Sequence, residues 1–170
     1  MKLSLRLFIF SFLIVFFTCP AVVSGQFLFL PRKSLVGELA PDFTLGTLTH
    51  ETGNMTEYRK GKKAIIFFWA TWCPHCREQL KELNQAKAEI AGKNIQIIVV
   101  DIGEKEQVIR RFVERDNIQL EVFLDRDSKV SDSYGVVGVP SFFFVNEAGV
   151  VQAIEHYLPE RYEEIFSQNY

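Results

Sequence analysis

The feature that most constrains the fold is a continuous apolar run at residues 64–69, followed within a few residues by an amphipathic stretch. A strand buried on both faces has this composition, because no side of it faces solvent. In the following stretch, Leu80, Leu83 and Ile90 recur at helical spacing, and charged residues occupy the other faces. Gly92 is placed to end that helix. The sequence therefore predicts a buried strand that leads directly into a helix.

The rest of the pattern extends this unit into a larger domain. A second apolar run at residues 95–100 precedes a helical stripe over residues 104–115. The stripe is formed by Val108, Ile109, Phe112 and Val113. This order of elements predicts parallel strands joined by right-handed crossovers. The other expected elements are a strand at 43–45, a loop at 46–63, an alternating strand at Leu120, Val122 and Leu124, a short helix at 128–134, a hairpin of residues 141–145 and 150–154, and a helix from Pro159. The predicted class is α/β, with a central mixed β-sheet flanked by helices.

The N-terminal segment is apolar and uncharged over residues 7–30, after Lys2 and Arg6. Such a segment is typical of a secretory signal peptide or a membrane anchor. Ser24 and Gly25 suit cleavage, whereas the apolar residues after them suit anchoring, so both alternatives stay open. In either case the leading basic charges favour a domain delivered outside the inner membrane.

One globular domain is expected at residues 37–170, after a signal peptide or anchor at 1–30 and a linker at 31–36. A chain of 170 residues with 48% hydrophobic composition can form one domain with a core, and is too short for two. Its formal charge of −2 lacks the basic excess that nucleic acid requires. We therefore expect no nucleic-acid partner.

Cys73 and Cys76 stand where the buried strand passes into the helix. Unpaired N–H groups and the helix dipole at a helix N-terminus favour a thiolate at the first cysteine. Two intervening residues keep the second sulfur within reach of the first, so the pair can form and resolve disulfides. Pro74 suits the first helical turn, where its missing N–H has no acceptor. Because Cys19 lies in the N-terminal apolar segment, Cys73 and Cys76 are the predicted catalytic residues.

Two cysteines at this spacing can also form half of a zinc site. Structural zinc needs four ligands, and the sequence has no second cysteine pair. His50 and His156 are single and far apart. We therefore expect neither a metal nor a cofactor.

From Val36 to the C-terminus, the chain resembles the thioredoxin superfamily, and specifically its exported TlpA/ResA-like branch. Residues 37–45, Gly-Glu-Leu-Ala-Pro-Asp-Phe-Thr-Leu, resemble the opening motif of that branch, and Trp-Ala-Thr-Trp-Cys at 69–73 resembles its active-site approach. Gly-Val-Pro-Ser at 138–141 resembles the loop that carries the cis-proline of the family. The resemblance implies a thioredoxin fold, a cis bond before Pro140 beside the cysteines, and thiol–disulfide oxidoreductase activity.

Two positions depart from the family pattern. Members of this branch often have Glu six residues after the first cysteine, where this chain has Gln79. Thioredoxin has a buried Asp six residues before it, where this chain has Phe67. Glu78 is adjacent to Gln79, but on a helix it points about 100° away. The resemblance therefore does not identify the group that accepts the proton of Cys76.

The Pro74-His75 dipeptide and Val139 resemble the corresponding residues of the oxidising enzyme DsbA. A cationic or donating His75 would stabilise the Cys73 thiolate and raise the reduction potential, whereas a solvated histidine would have little influence. This local chemistry predicts a potential above that of thioredoxin. The TlpA/ResA-like resemblance instead implies a reductant supplied by a membrane electron donor.

Trp69 and Trp72 flank the cysteines and are predicted to shape an apolar surface where the disulfide segment of a partner docks. The residues predicted to modulate the site are Trp72, Pro74, His75, Val139 and Pro140.

The leading hypothesis is disulfide exchange, by reduction, oxidation or isomerisation, with exported protein substrates through Cys73 and Cys76. The partners would be protein thiols and disulfides outside the inner membrane, together with a membrane redox protein. One alternative is a peroxiredoxin, which shares the opening motif, although its Pro-x-x-x-Thr-x-x-Cys pattern has no matching proline before Cys73. Another alternative is a thiol chaperone dedicated to cytochrome c maturation.

Overall fold

The computed structural model describes residues 34–50 and 52–167. The predicted signal peptide or anchor at 1–30 and the start of the linker lie outside these residues. The strands are β1 (Thr44–Thr47), β2 (Gly53–Asn54), β3 (Lys63–Trp69), β4 (Ile95–Ile102), β5 (Val122–Asp125), β6 (Ser141–Val145) and β7 (Val151–Glu155). The helices are α1 (Met55–Arg59), α2 (Pro74–Gly92), α3 (Glu106–Arg115), α4 (Lys129–Ser133) and α5 (Tyr162–Ile165).

The strands form one mixed sheet in the order β2-β1-β5-β4-β3-β6-β7. β3 and β4 pair in parallel, as do β4 and β5, whereas β6 runs antiparallel to β3 and to β7. Every residue of β3 from Ala64 to Trp69 is buried, which accounts for its uniform apolar composition. The predicted α/β class, central mixed sheet and β6–β7 hairpin are confirmed.

The core consists of two clusters, one on each face of the sheet. Because successive strand residues point to opposite faces, Phe67 and Trp69 pack on one side while Phe68 packs on the other. The first cluster includes Leu83 of α2, and the second includes the buried Tyr134. Full burial of one such side chain stabilises the fold by roughly 1.5–3 kcal/mol. The sheet is therefore covered by side-chain packing on both of its faces.

α2 begins directly after Cys73, and its last residue is Gly92, as the sequence predicted. Cys73 is the N-cap, with extended backbone angles of φ −87° and ψ 111°. Leu80, Leu83 and Ile90 are buried on one face of the helix, which confirms its amphipathic pattern. The cysteine pair therefore lies at the carboxyl end of β3, an interior strand of the sheet.

The segment between β1 and β3 differs from the predicted loop, because it contains β2 and α1. Asn54, which has the sequence character of a helix breaker, is the N-cap of α1, and its side chain accepts a hydrogen bond from the Glu57 N–H. The buried Arg59 donates hydrogen bonds to the carbonyl groups of Asn146 and Glu147. These contacts tie α1 to the β6–β7 turn across a long sequence separation, so no local pattern reveals them.

The stripe predicted for α3 is narrower in the structure. Ile109 and Phe112 are buried, and Val113 packs partly against the core, but Val108 is 44% exposed. The prediction that Val108 faces the core is therefore wrong. α3 also starts at Glu106 rather than at Glu104, whose side chain contacts another loop, as described below.

The alternation predicted for β5 is confirmed, because Leu120, Val122 and Leu124 pack on one core cluster and Phe123 packs on the other. All four residues from Val122 to Asp125 are buried, because β5 lies between β1 and β4 with layers on both faces. None of the helices in the described part of the chain is both long and apolar enough to cross a bilayer.

Candidate active site

Cys73 and Cys76 form a disulfide at the N-terminus of α2, with their Cα atoms 5.2 Å apart. The Cys73 sulfur accepts a hydrogen bond of 3.2 Å from the backbone N–H of Cys76. This N–H is among those that a helix N-terminus leaves without an intrahelical acceptor. In the reduced protein, the same N–H and the helix dipole favour a thiolate at Cys73.

The two cysteines differ in their access to solvent. Cys73 is 5% exposed, whereas Cys76 is 0% exposed and belongs to the core cluster beneath α2. A partner can therefore reach the sulfur of Cys73 with less displacement of the protein than it would need to reach that of Cys76. Cys73 is therefore the cysteine that is more accessible to a partner, and Cys76 is the more buried one.

The loop before β6 lies against the disulfide. Its Val139–Pro140 peptide bond is cis, as the family resemblance implied. The carbonyl oxygen of Val139 lies 3.7 Å from the Cys73 sulfur. Within residues 34–50 and 52–167, Val139 has no backbone hydrogen-bond partner. Its N–H group and the remaining acceptor capacity of its C=O group are therefore free to pair with an incoming extended segment.

His156, the residue after β7, contacts this loop from the other side. Its Nδ1 atom lies 2.8 Å from the carbonyl oxygen of Pro140. Because a carbonyl oxygen can only accept, His156 donates through Nδ1–H, and this contact fixes the tautomer of the neutral ring. In the sequence, His156 stands out only as an isolated candidate metal ligand, since a contact across the hairpin leaves no local pattern.

Two shallow grooves flank the cysteine pair. The first, of about 280 Å³, lies between Trp72, Ile102 and the loop from Val136 to Val139, with part of α4 at its edge. The second, of about 180 Å³, is lined by His75, Glu78, Gln79, Pro140, His156 and Tyr157. Four of the five predicted modulating residues line these grooves, namely Trp72 and Val139 in the first and His75 and Pro140 in the second, and Pro74 lies between the two cysteines in the chain.

The two tryptophans have different environments. Trp72 is 68% exposed, whereas Trp69 is 0% exposed and packs on Phe112 with ring centroids 5.3 Å apart. The prediction that both shape the docking surface is therefore wrong for Trp69. It is the last residue of a strand that is covered on both faces.

Neither of the two departures from the family pattern supplies an acid. Phe67 is in the core, stacked on Phe142 with centroids 4.4 Å apart. The Gln79 side chain accepts a hydrogen bond from the Leu158 N–H at 2.6 Å and donates one to Glu82, also at 2.6 Å. Gln79 therefore holds the connection between β7 and α5 against α2.

Two acids that the sequence analysis did not single out lie at the carboxyl end of β4. Asp101 is buried and is the register partner of Trp69 in β3. Burial, together with the adjacent Glu104 carboxylate, raises the pKa of Asp101 to about 8. Asp101 can therefore take up and release a proton near neutral pH, next to the strand end that leads into the cysteine pair.

Glu104 holds the segment that leads into the cysteine pair. Its carboxylate accepts hydrogen bonds from the backbone N–H of Thr71 at 2.5 Å and from the Thr71 hydroxyl at 2.6 Å. Thr71 precedes Cys73 by two residues, so this contact fixes the turn between β3 and α2. Because the carboxyl ends of parallel strands meet at one edge of a sheet, the predicted parallel pairing could have drawn attention to Glu104.

His75 points towards solvent. Its side chain is 83% exposed, and Nδ1 lies 3.5 Å from a carboxylate oxygen of Glu78. No hydrogen bond joins it to Cys73 in the described part of the chain. Among the same residues, no group of three or more His, Cys, Asp or Glu side chains is arranged to hold a metal ion.

Comparisons with known proteins agree with this geometry. Residues 36–154 match the model of the AhpC/TSA family. The chain is 32% identical over 119 residues to thiol-disulfide oxidoreductase ResA of Geobacillus thermodenitrificans, covering 70% of this chain and 68% of the relative. It is also 32% identical over 121 residues to the thioredoxin-like protein YneN of Bacillus subtilis, covering 69% of each chain. The crystal structure of a Chlorobium tepidum protein, described as thiol:disulfide interchange protein DsbE, superposes with a TM-score of 0.71 at 26% identity, covering 78% of this chain and 96% of the other.

Proposed function

Because the chain belongs to the AhpC/TSA family and is a thiol–disulfide oxidoreductase, we propose that it exchanges disulfides with exported protein substrates through Cys73 and Cys76. The observation that carries this proposal is the Cys73–Cys76 disulfide at the N-terminus of α2, with the more accessible sulfur beside the unpaired backbone of Val139. No cofactor is needed, since the cysteine pair itself holds the two electrons.

The exchange proceeds through two thiolate attacks. In the reductive direction, the Cys73 thiolate attacks a disulfide sulfur of the partner, a mixed disulfide forms, and the other partner sulfur leaves as a thiolate. The Cys76 thiolate then attacks the sulfur of Cys73, which releases the second partner thiolate and forms the Cys73–Cys76 disulfide. The partner gains two electrons and the pair loses two, and the reverse sequence oxidises a partner dithiol.

The Val139 backbone and the exposed Trp72 ring provide the docking surface in this proposal. An extended partner segment would pair with the Val139 N–H and C=O groups, and an apolar side chain next to the partner cysteine would lie against Trp72. The modulating residues would thereby determine which partners bind and the reduction potential of the cysteine pair, without exchanging electrons themselves. These residues are Trp72, Pro74, His75, Val139 and Pro140.

The site of action in this proposal is outside the inner membrane, with residues 1–30 as a signal peptide or anchor. The support is the apolar segment at 7–30 behind Lys2 and Arg6, and the use of a disulfide in the domain. A membrane redox protein would restore the pair after each turnover. The protein would meet its exported substrates and this redox protein in the same compartment outside the inner membrane.

A trapping experiment tests the proposed roles of the two cysteines. In a Cys76→Ala variant the mixed disulfide cannot be resolved, so we expect disulfide-linked partner complexes that dithiothreitol releases. The matched Cys73→Ala variant should give none. A wild-type protein that fails to reduce the disulfides of insulin, or a Cys73→Ala variant that traps partners as well as Cys76→Ala does, would contradict the proposal.

The same variants separate the two alternative functions. A peroxiredoxin would consume hydrogen peroxide rapidly through Cys73, whereas we expect slow consumption and fast protein disulfide exchange. A thiol chaperone dedicated to cytochrome c maturation would trap one partner in the Cys76→Ala variant, whereas broad exchange would trap several.

A further inference from the structure

A groove lined by three arginines adjoins the cysteine pair on the side of α3. Its volume is about 350 Å³, and it is lined by Thr71, Arg77, Val108, Arg111, Phe112 and Arg115. No carboxylate lines it, although the chain as a whole carries a formal charge of −2. The groove is therefore a local concentration of positive charge on a mildly acidic protein.

The groove begins beside the disulfide. Thr71 precedes Cys73 by two residues and Arg77 directly follows Cys76, and an Arg77 guanidinium nitrogen lies 3.4 Å from the Thr71 carbonyl oxygen. A peptide held at Cys73 would therefore have neighbouring residues next to the end of the groove that Thr71 and Arg77 form. A partner that exchanges its disulfide at Cys73 can therefore contact the groove at the same time.

The arginines differ in how far their charges are already compensated. Arg115 pairs with Asp116, which also pairs with Lys81, so one carboxylate faces two cations. Arg111 is exposed and forms no ion pair or side-chain hydrogen bond within the described residues. An unpaired guanidinium next to a partly compensated one has capacity for an added anion.

The lining also offers apolar contact. The Arg115 guanidinium lies over the Phe112 ring, 5.0 Å from its centroid, which limits the directions that this side chain can take. The exposed Val108 side chain, which the sequence analysis placed in the core, lines the same groove. Flat guanidinium groups beside a small apolar surface suit a carboxylate on a short side chain, because guanidinium and carboxylate groups can form two parallel hydrogen bonds.

We propose that this arginine groove, formed by Arg77, Arg111 and Arg115, binds an acidic segment next to the reactive cysteine of a protein partner. The inference rests on the proposed function and adds a substrate preference to it. Partners with Asp or Glu within a few residues of the cysteine dock faster than those with neutral residues there, since complementary charge mainly accelerates encounter. The groove thus selects among exported disulfides by charge.

Two synthetic peptides test this preference directly. Both carry one cysteine as a mixed disulfide with the uncharged 2-mercaptoethanol. One has Asp and Glu on both sides of the cysteine, and the other has Asn and Gln at the same positions. The second-order rate constants for reaction with the reduced full-length protein are measured at low salt. We expect the acidic peptide to react about fivefold faster, and the advantage to shrink at 0.5 M salt.

Arginine variants assign the effect to the groove. Arg111→Gln, and Arg111→Gln combined with Arg115→Gln, should lower the ratio of the two rate constants towards one. Arg161→Gln removes the same charge elsewhere on the surface, where Arg161 pairs with Glu164, and should leave the ratio unchanged. A wild-type ratio of one, or a ratio that the groove variants preserve, overturns the inference. Failure of both peptides to react at all would instead contradict the proposed function.

Discussion

At the scale of single residues, the effect of His75 on the reduction potential depends on whether its side chain contacts the Cys73 sulfur. The structure places it in solvent beside Glu78, without a contact to the sulfur of Cys73 in the described residues. An exposed charge acts weakly because water screens it. The thiolate is instead favoured mainly by the Cys76 N–H, which already points at the sulfur.

We therefore expect His75→Ala to lower the reduction potential, but by no more than about 20 mV. Glu78→Gln serves as the matched control and should shift the potential slightly upwards, because it removes a negative charge near the same sulfur. Equilibration with glutathione buffers measures both values, and it also tests whether the wild-type potential lies above that of thioredoxin. A drop of more than about 50 mV would mean that His75 contacts the thiolate directly in the reduced protein.

Asp101 links protonation to stability. Its pKa is raised to about 8 in the folded protein by burial and by Glu104, with Asp125 as a further nearby acid. An unfolded Asp titrates near 3.9. Between these values the folded state holds one proton more than the unfolded state, so the contribution of Asp101 to the free energy of unfolding falls as pH rises.

The expected slope from this group is at most about 1.4 kcal/mol per pH unit between pH 5 and 7, and it levels off above the folded pKa. Asp101→Asn should remove it, so the stability of the variant relative to the wild type should increase with pH. Urea unfolding of the oxidised proteins at several pH values measures the difference. Parallel pH profiles for the two proteins would show that Asp101 is ionised throughout.

At the scale of elements, the turn that carries the cysteines depends on a contact from the neighbouring strand. Both carboxylate oxygens of Glu104 accept hydrogen bonds from Thr71, and these are shorter than the 3.4 Å contact of Arg77 with the Thr71 carbonyl oxygen. Loss of hydrogen bonds to a charged acceptor typically costs about 1.5–3 kcal/mol, and less where the acceptor is partly solvated.

Glu104→Ala should therefore lower the free energy of unfolding by about 1–2 kcal/mol and slow disulfide exchange, because the N-terminus of α2 loses its fixed position. Glu104→Gln should have an intermediate effect, since one acceptor oxygen remains. Glu114→Ala, an exposed change on α3, is the control for removing a carboxylate. Equal behaviour of the Glu104→Ala and Glu114→Ala variants in urea unfolding and insulin reduction would rule out this positioning role.

The elements that the sequence predicted well are those whose burial follows a regular pattern along the chain. β3, β4 and α2 follow from apolar runs and from helical spacing, because these features respond directly to the layers around them. β2 and α1 were missed since Gly53 and Asn54 have the composition of a loop, although Asn54 is a helix cap. Local composition does not distinguish a cap from a break in a helix.

The candidate site was predictable to a similar extent. The cysteine pair and Pro140 belong to recognisable motifs, whereas Asp101, Glu104 and His156 reach the site through strand pairing and the hairpin. Their relevance depends on which residues the sheet brings together, and this follows only from the three-dimensional pairing. The same limit explains why Trp69 was assigned to the surface although the sheet buries it.

At the scale of the whole molecule, the described residues contain both core clusters and the complete cysteine site. We propose that the segment at residues 1–30 delivers this domain to its compartment. Its apolar composition behind two basic residues predicts export in either of its two forms.

A fusion of a disulfide-dependent reporter enzyme to the C-terminus tests this prediction in bacterial cells. Alkaline phosphatase becomes active only where its disulfides can form, so the full-length fusion should be active. Deletion of residues 1–30 should abolish that activity while the fusion accumulates at a similar level. An inactive full-length fusion would place the domain in the cytoplasm and would contradict the proposed compartment.

The unequal exposure of the two sulfurs has a kinetic consequence. Because Cys76 is sealed in the core, an electron donor and an electron acceptor must both enter through Cys73, and they cannot occupy it together. One must depart before the other arrives. The molecule consequently serves as a shuttle that visits its partners in turn, and its steady-state rates should follow ping-pong kinetics, with parallel lines in double-reciprocal plots when donor and acceptor concentrations are varied.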